Sequence, residues 1–231
     1  MGLGLVASLL PAWTRHRVET NEAAALSTLR LIAQAEEAFR ARRSEDLDGN
    51  GQGEYTWLGT LAGAFPLRQA PGPDRPFPPE RKLSPPLLPE AFRLHNEAGE
   101  VESSGYLFLL CLSLANGRVL TEPCRPDQVL SRPADAKLQE RYWAVYAWPR
   151  QAGKTGMRAF FVNQDGKPYY CLNLGYRVSD TPYDGPFALP AARADRCFLA
   201  RDDQPIILSR GVGTVEGRPP VSRSRDGQLW L

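Results

Sequence analysis

The chain has few of the residues that usually build metal-assisted or nucleophilic active sites. Only two histidines occur, and none of the four cysteines belongs to a CxxC pair. A zinc site needs a tighter cluster of such ligands. No GxSxG motif is present, so Ser/His/Asp catalysis has little support. His16 lies in the polar segment at the start of the first predicted helix. His95 lies in a charged segment that is expected to be exposed.

A strong charge of one sign and a long hydrophobic run are also missing. The net charge is +2, which is too small to indicate a nucleic-acid partner. The apolar stub from Gly2 to Trp13 contains about a dozen apolar residues, whereas a membrane-spanning helix needs roughly 20. It also lacks the basic start and the cleavage pattern of a signal peptide. The stub therefore predicts either a core or interfacial segment, or a chain that begins part-way through a membrane helix.

The remaining composition is that of a globular protein rich in proline. Hydrophobic residues make up 42% and charged residues 23% of the 231 positions, enough for a hydrophobic core. The 21 prolines are about twice the usual share and predict many irregular connections. We expect one globular domain in three parts: 1–43 holds the stub and a long helix, 44–103 an acidic loop and a Pro-rich connection, and 104–231 an antiparallel sheet and an irregular C-terminal region.

A long amphipathic helix is predicted from Asn21 to Arg43. Thr20 or Asn21 can cap its start, and Glu22 and Glu36–Glu37 are placed on its solvated side. Apolar residues at spacings of three and four form one stripe, which should cover one face of a sheet. The stripe consists of Ala25, Leu29, Ile32, Ala35 and Phe39.

The second half of the chain reads as antiparallel strands. Runs of apolar and aromatic residues predict strands over 104–112 and 142–148, with a turn at Asn116–Gly117 after the first. A hairpin is predicted from 158–163 and 168–173, joined by Gln164-Asp165-Gly166-Lys167. A further strand is predicted at Pro205–Leu208. One helix followed by a meander of strands predicts an α+β fold, with irregular Pro-rich loops.

The acidic loop after the helix is the best candidate for a ligand site. Asp46, Asp48 and Asn50 alternate, and Gly51 permits a sharp turn, as in the first half of an EF-hand calcium loop. The twelfth position is Trp57, where that loop needs a bidentate glutamate. The possible calcium ligands are Asp46, Asp48, Asn50, Gln52 (through its carbonyl) and Glu54. The alternative is a polar turn that ends the helix without a metal.

The four cysteines permit two disulfides in an oxidising compartment, with three possible pairings. Cys111–Cys124 and Cys171–Cys197 close the shortest loops and are favoured among these pairings. Four small buried hydrophobic residues are an equally good interpretation.

Three other patterns favour structure over chemistry. Gly153–Gly156 has a Gly-Lys-Thr order, but Trp148 stands where a phosphate-binding loop needs glycine, so a hairpin loop is predicted. The carboxylate pairs Asp180/Asp184 and Asp202–Asp203 are interpreted as solvated loops. Aromatic residues of the strands could line a sugar platform but are expected to form the core. They are Tyr106, Phe108, Trp143, Tyr146, Trp148, Phe160, Tyr169 and Tyr170.

Residues 9–39, LLPAWTRHRVETNEAAALSTLRLIAQAEEAF, combine an apolar segment that ends near a proline with a polar, alanine-rich continuation. This stretch is similar to the long helix of type IV pilins and of the pseudopilins of type II secretion. Three later segments resemble a pilin-like family of planctomycete type: DLDGNGQGEYTWLGTLA, SSGYLFLL and YWAVYAWPRQAGKTGMRAFFVNQDGKPYY. The resemblance covers residues 1–65 and 104–170. Relative to the family, the N-terminal leader and the first half of the membrane helix are missing.

The resemblance implies a non-enzymatic, extracytoplasmic subunit that is anchored in the inner membrane. It would assemble with other pilin-like subunits through its N-terminal helix, in a filament or a secretion system. Leu5, Val6, Leu9 and Leu10 would make membrane or filament contacts, and Pro11 would interrupt the helix locally. Major pseudopilins carry calcium near the sheet, but the acidic loop here follows the helix, so that role is not carried over. The alternatives are a tethered calcium- or carbohydrate-binding module and, ranked last, a hydrolase in the C-terminal third.

Overall fold

One long helix and one antiparallel sheet dominate the fold. The computed structural model describes residues 12–68, 81–114, 119–131, 135–172, 222–223 and 229–230. The helices are α1 (Ala12–Ala41), α2 (Leu58–Leu61), α3 (Asp127–Ser131) and α4 (Ala136–Gln139), with a 3₁₀ turn at Glu90–Arg93. The strands are β1 (Val101–Ser103), β2 (Tyr106–Ser113), β3 (Val119–Thr121), β4 (Trp143–Pro149), β5 (Arg158–Asn163), β6 (Tyr169–Leu172), β7 (Ser222–Arg223) and β8 (Leu229–Trp230). The predicted α+β class is confirmed.

Six strands form the main sheet in the order β1-β2-β4-β5-β6, and β3 pairs with the far end of β2. All pairs are antiparallel. The longest register, between β2 and β4, runs from Tyr106↔Pro149 to Leu112↔Trp143. The predicted hairpin is confirmed as β5 and β6, and Gly166 has the positive φ of 67° that its turn requires. β7 and β8 pair separately, and β8 contacts β6.

Helix α1 lies across β4 and β5 and buries its apolar stripe against the sheet. All five predicted stripe residues are at most 4% exposed. On β2, alternate side chains meet this core, with Tyr106, Phe108 and Leu110 on the helix side. Leu109 and Cys111 point to the opposite face, which is also buried. The alternation follows from the two-residue period of a strand.

Burial excludes a sugar-binding platform for most of the eight aromatic residues that were considered for that role. Six of the eight are at most 2% exposed, and they pack on the two faces of the sheet. They are Tyr106, Phe108, Trp143, Tyr146, Trp148 and Phe160. The interpretation of these aromatic residues as core is therefore confirmed.

Helix α1 is longer at its start than the sequence predicted. It runs without a break through Thr20 and Asn21, so the predicted cap there is wrong. Nothing from Trp13 onward breaks a helix, since the segment contains neither proline nor glycine. Asn21 instead donates its Nδ2 to the carbonyl of Thr155, 2.8 Å away. The helix ends at Ala41, and Arg43 has a left-handed φ of 51°.

Two glutamates on α1 were assigned to the wrong side. Glu22 is 4% exposed and Glu36 is fully buried, whereas Glu37 is exposed as predicted. The cause is helical spacing. Buried positions recur on α1 at intervals of four and three residues, and both glutamates fall on that series. The series is Val18, Glu22, Ala25, Leu29, Ile32, Glu36 and Phe39.

Several predictions concern segments outside the described residues. These are residues 2–11 of the stub, the Asn116–Gly117 turn, the strand at Pro205–Leu208, the acidic pairs of the C-terminal third and Cys197.

Candidate functional site: the free end of the helix and the acidic loop

Glu22 fixes α1 to the loop between β4 and β5. Its Oε1 accepts hydrogen bonds from the backbone N–H groups of Met157 at 2.9 Å and Arg158 at 3.0 Å. Its Oε2 accepts a charge-assisted bond of 2.8 Å from Nε of Arg158. This loop includes the Gly153–Gly156 stretch, so the predicted connection between aromatic strands is confirmed. The carboxylate therefore ties the helix to the start of β5.

The first turns of α1 extend beyond these contacts. Trp13 is 71% exposed, residues 15–17 are exposed, and the first buried residue from Trp13 onward is Val18, at 6%. From Ala12 to Val18 the helix advances about 9 Å. This free end follows the sequence in which membrane or filament contacts were predicted at Leu5, Val6, Leu9, Leu10 and Pro11, all outside the described residues. The described helices include none with the length and apolarity that a membrane span requires.

A buried segment, 53–62, consists of irregular backbone followed by the short helix α2. Its backbone N–H groups need acceptors that no strand supplies. Glu36 accepts from the N–H of Thr56 at 3.1 Å. Glu122, 1% exposed, uses its two oxygens for the N–H groups of Leu58 and Gly59, each at 3.0 Å. These two glutamates thus fix the start of α2.

His95 belongs to the same buried region, so its predicted exposure is wrong. Its side chain is 1% exposed, and Nε2 lies 3.2 Å from Oε1 of Glu122. Phe65 stacks on the imidazole with a centroid distance of 4.7 Å. Its charged neighbours Arg93 and Glu97 are exposed, whereas the ring itself packs into the core.

Glu45 forms a buried ion pair with Arg68. Oε1 accepts from the backbone N–H of Arg68 at 2.7 Å, and Oε2 accepts from its Nε at 2.8 Å. The guanidinium also donates to the carbonyl of Tyr55 at 2.6 Å and to the amide oxygen of Gln139. Because Glu45 is 1% and Arg68 6% exposed, both charges depend on this pairing.

The acidic loop brings three carboxylates together. One oxygen each of Asp46, Asp48 and Glu54 lies within 4.8 Å of the other two. The loop turns at Gly49 and Gly51, which have positive φ values of 72° and 82°. The predicted grouping of these three acidic residues is therefore present.

Two oxygens of this carboxylate cluster are left without partners. Oδ2 of Asp46 accepts from the N–H of Gly51 at 3.0 Å, and Oε1 of Glu54 accepts from the N–H of Leu47 at 2.7 Å. Oδ1 of Asp46 and Oε2 of Glu54 are buried and accept no hydrogen bond. Burial raises the pKa of Glu54 to about 7, despite the opposing effect of the Leu47 N–H.

The hydrogen bonds of Asn50 join the acidic loop to the end of α4, while the predicted ligand roles of Asn50 and Gln52 stay predictions. The amide of Asn50 donates to Asp48 at 3.1 Å and to Oε1 of Glu140 at 2.7 Å, while its Oδ1 accepts from the N–H of Gln52 at 2.7 Å. Gln52 is exposed. Asn50 therefore links the loop to the end of α4 through Glu140, a contact that was not predicted because the two residues lie 90 positions apart in the sequence.

The favoured disulfide between Cys111 and Cys124 is wrong. Cys124 is a free thiol whose Sγ lies 3.3 Å from Oε1 of Gln128, at the start of α3. Cys111 is buried within β2. The pairing of Cys171 with Cys197 lies outside the described residues.

No protein-family model, curated protein or solved structure matches the chain. The sites are therefore interpreted from their own geometry.

Proposed function

We propose that the chain is a non-enzymatic, pilin-like or pseudopilin-like subunit. It is anchored at the inner membrane, exposes its sheet domain on the extracytoplasmic side, and assembles with similar subunits through α1. The observation that carries this proposal is the free N-terminal end of α1. The first turns expose Trp13, whereas the following turns bury one face against the sheet.

The anchoring of the helix supports this arrangement. Glu22 and Asn21 bind the β4–β5 loop from adjacent positions on α1. The free end therefore leaves the domain in a fixed direction, which is what an assembly of parallel helices requires. The apolar residues Leu5, Val6, Leu9 and Leu10 precede that end in the sequence and supply contact surface.

Cysteine crosslinking in the native cells tests the proposal. Arg17→Cys and Arg30→Cys place thiols on exposed positions of α1, and Lys167→Cys places one on the exposed β5–β6 turn as a matched control. We expect crosslinks between copies at the helix positions and none at Lys167. The chain without added cysteine reports any background from Cys124.

Fractionation of the same cells provides the second readout. We expect the protein in the inner-membrane fraction, with its sheet domain open to protease added from the extracytoplasmic side. Leu9→Asp should release it, because a carboxylate in an apolar contact is unfavourable. Recovery of the parent chain as a soluble cytoplasmic monomer without helix crosslinks would overturn the proposal.

A further inference from the structure

We propose that the acidic loop binds one calcium ion through the carboxylates of Asp46, Asp48 and Glu54. The three oxygens lie within 4.8 Å of one another. Ligand oxygens around calcium stand at about 2.3–2.6 Å from the ion, so two of them are at most about 5 Å apart. All three carboxylates can therefore reach a single ion.

The unoccupied oxygens of the loop are the independent observation that points to a ligand. Glu54 is 0% exposed, and its Oε2 is buried without a hydrogen-bond partner. Oδ1 of Asp46 is in the same state. Within the described part of the chain, no lysine or arginine forms an ion pair with any of the three carboxylates. A bound cation supplies the missing charge and the missing partners together.

The donor set selects calcium among the common divalent ions. It consists of carboxylate oxygens on an irregular loop, which calcium accepts because its coordination is flexible. Magnesium requires a near-ideal octahedron at about 2.1 Å and keeps several waters. Zinc prefers nitrogen and sulfur ligands, and the cluster contains neither.

Binding at this position would connect two parts of the fold. The loop directly follows α1, and Asn50 joins it to Glu140 at the end of α4. Asp48 in turn accepts from Asn50. An ion that fixes Asp48 therefore also fixes the contact between the end of α1 and α4. The inference does not depend on assembly, since it concerns one chain.

Calorimetric titration of the full chain with calcium chloride, after removal of ions with a chelator, tests the proposal. We expect one bound ion per chain and a higher Tm with calcium. Asp46→Asn and Glu54→Gln keep an acceptor for Gly51 and Leu47 but lose the charge, and should weaken binding at least about tenfold. Asp165→Asn, in the exposed β5–β6 turn, is the matched control and should bind as the parent does.

The folding of each variant is checked by circular dichroism without calcium. Should Glu54→Gln not fold, Asp48→Asn takes its place, because Asp48 is exposed. Three outcomes would overturn the proposal. They are no binding at about 10 mM calcium, tenfold above the weakest range of extracellular calcium modules; equal binding by the charge-removing variants; and tighter binding of magnesium than of calcium.

Discussion

Two sets of carboxylates lie near the C-terminal half of α1 and the segment that follows it. They differ in whether both carboxylate oxygens accept hydrogen bonds. In the first set, Glu45 and Glu122 have every oxygen occupied by an N–H donor. In the second set, Asp46 and Glu54 each use one oxygen and leave the other buried without a partner. The two sets are close in the chain, since Glu45 and Asp46 are adjacent.

Fully paired oxygens indicate a structural role, whereas an unpaired buried oxygen indicates a carboxylate that can bind a ligand. A buried carboxylate with all its oxygens paired has exchanged its hydration for fixed donors and holds irregular backbone in place. A buried carboxylate with a vacant oxygen has lost hydration without that replacement. Removing charge from the first set should therefore destabilise the fold, and removing charge from the second set should not.

The largest effect is expected for Glu45→Gln. The substitution keeps the shape of the side chain but leaves the guanidinium of Arg68 buried without its anion. We expect a loss of about 3–5 kcal/mol in the free energy of unfolding, measured by urea denaturation. Glu19→Gln, on the exposed side of α1, is the control and should change the free energy of unfolding by less than about 0.5 kcal/mol. If Glu45→Gln changed the free energy of unfolding as little as Glu19→Gln does, the structural role assigned to the paired set would be wrong.

A smaller and more local effect is expected for Glu122→Gln. The substitution replaces one of the two acceptor oxygens by an NH₂ donor, so one of the N–H groups of Leu58 and Gly59 loses its present acceptor. We expect a loss of about 1–3 kcal/mol, with faster hydrogen exchange at Leu58 and Gly59 than at the β2–β4 amides. Unchanged protection of both amides would contradict the role assigned to Glu122.

Glu36 lies between the two sets, because Oε2 accepts from Thr56 while Oε1 is buried without a partner. Burial holds its pKa well above the usual 4.5. The native state therefore keeps a proton that the unfolded state releases, and stability falls as the pH rises above about 4.5 towards the raised pKa. Each pH unit in that window costs about 1.4 kcal/mol.

Glu36→Gln should remove this fall, because the amide mimics the protonated acid and still accepts from Thr56. Thermal melts at intervals between about pH 5 and pH 8 measure the slope for both chains. We expect the variant to have the higher Tm at the alkaline end and the parent to approach it at the acid end. Parallel slopes would show that Glu36 is not a source of the pH dependence.

The fold was largely predictable from residue spacing. The apolar stripe of α1, the β5–β6 hairpin and the strands β2 and β4 follow from local periodicity and turn residues. The roles of Glu22 and Glu36 were missed because charge alone was used to place them at the surface. Their spacing of three and four from the stripe residues indicates the buried face.

The partners in the sites could not be predicted from local sequence. Glu122 accepts hydrogen bonds from Leu58 and Gly59, which lie more than 60 positions earlier in the sequence. Asn50 donates to Glu140, which lies 90 positions later. Such pairs depend on how distant parts of the chain pack together, and local residue spacing carries no information about that packing. The grouping of Asp46, Asp48 and Glu54 was predictable because alternation along one short loop is local.

The smallest effect is expected for Asp46→Asn without calcium, and it is the sharpest test of the comparison. The amide oxygen still accepts from the N–H of Gly51, while the charge beside Asp48 and Glu54 is removed. We expect a change of less than about 0.5 kcal/mol in the free energy of unfolding, against the several kcal/mol for Glu45→Gln one residue earlier. Both values come from urea denaturation in the same chelator-treated buffer. A loss at Asp46 as large as that at Glu45 would mean that the loop carboxylates hold the fold as the paired set does.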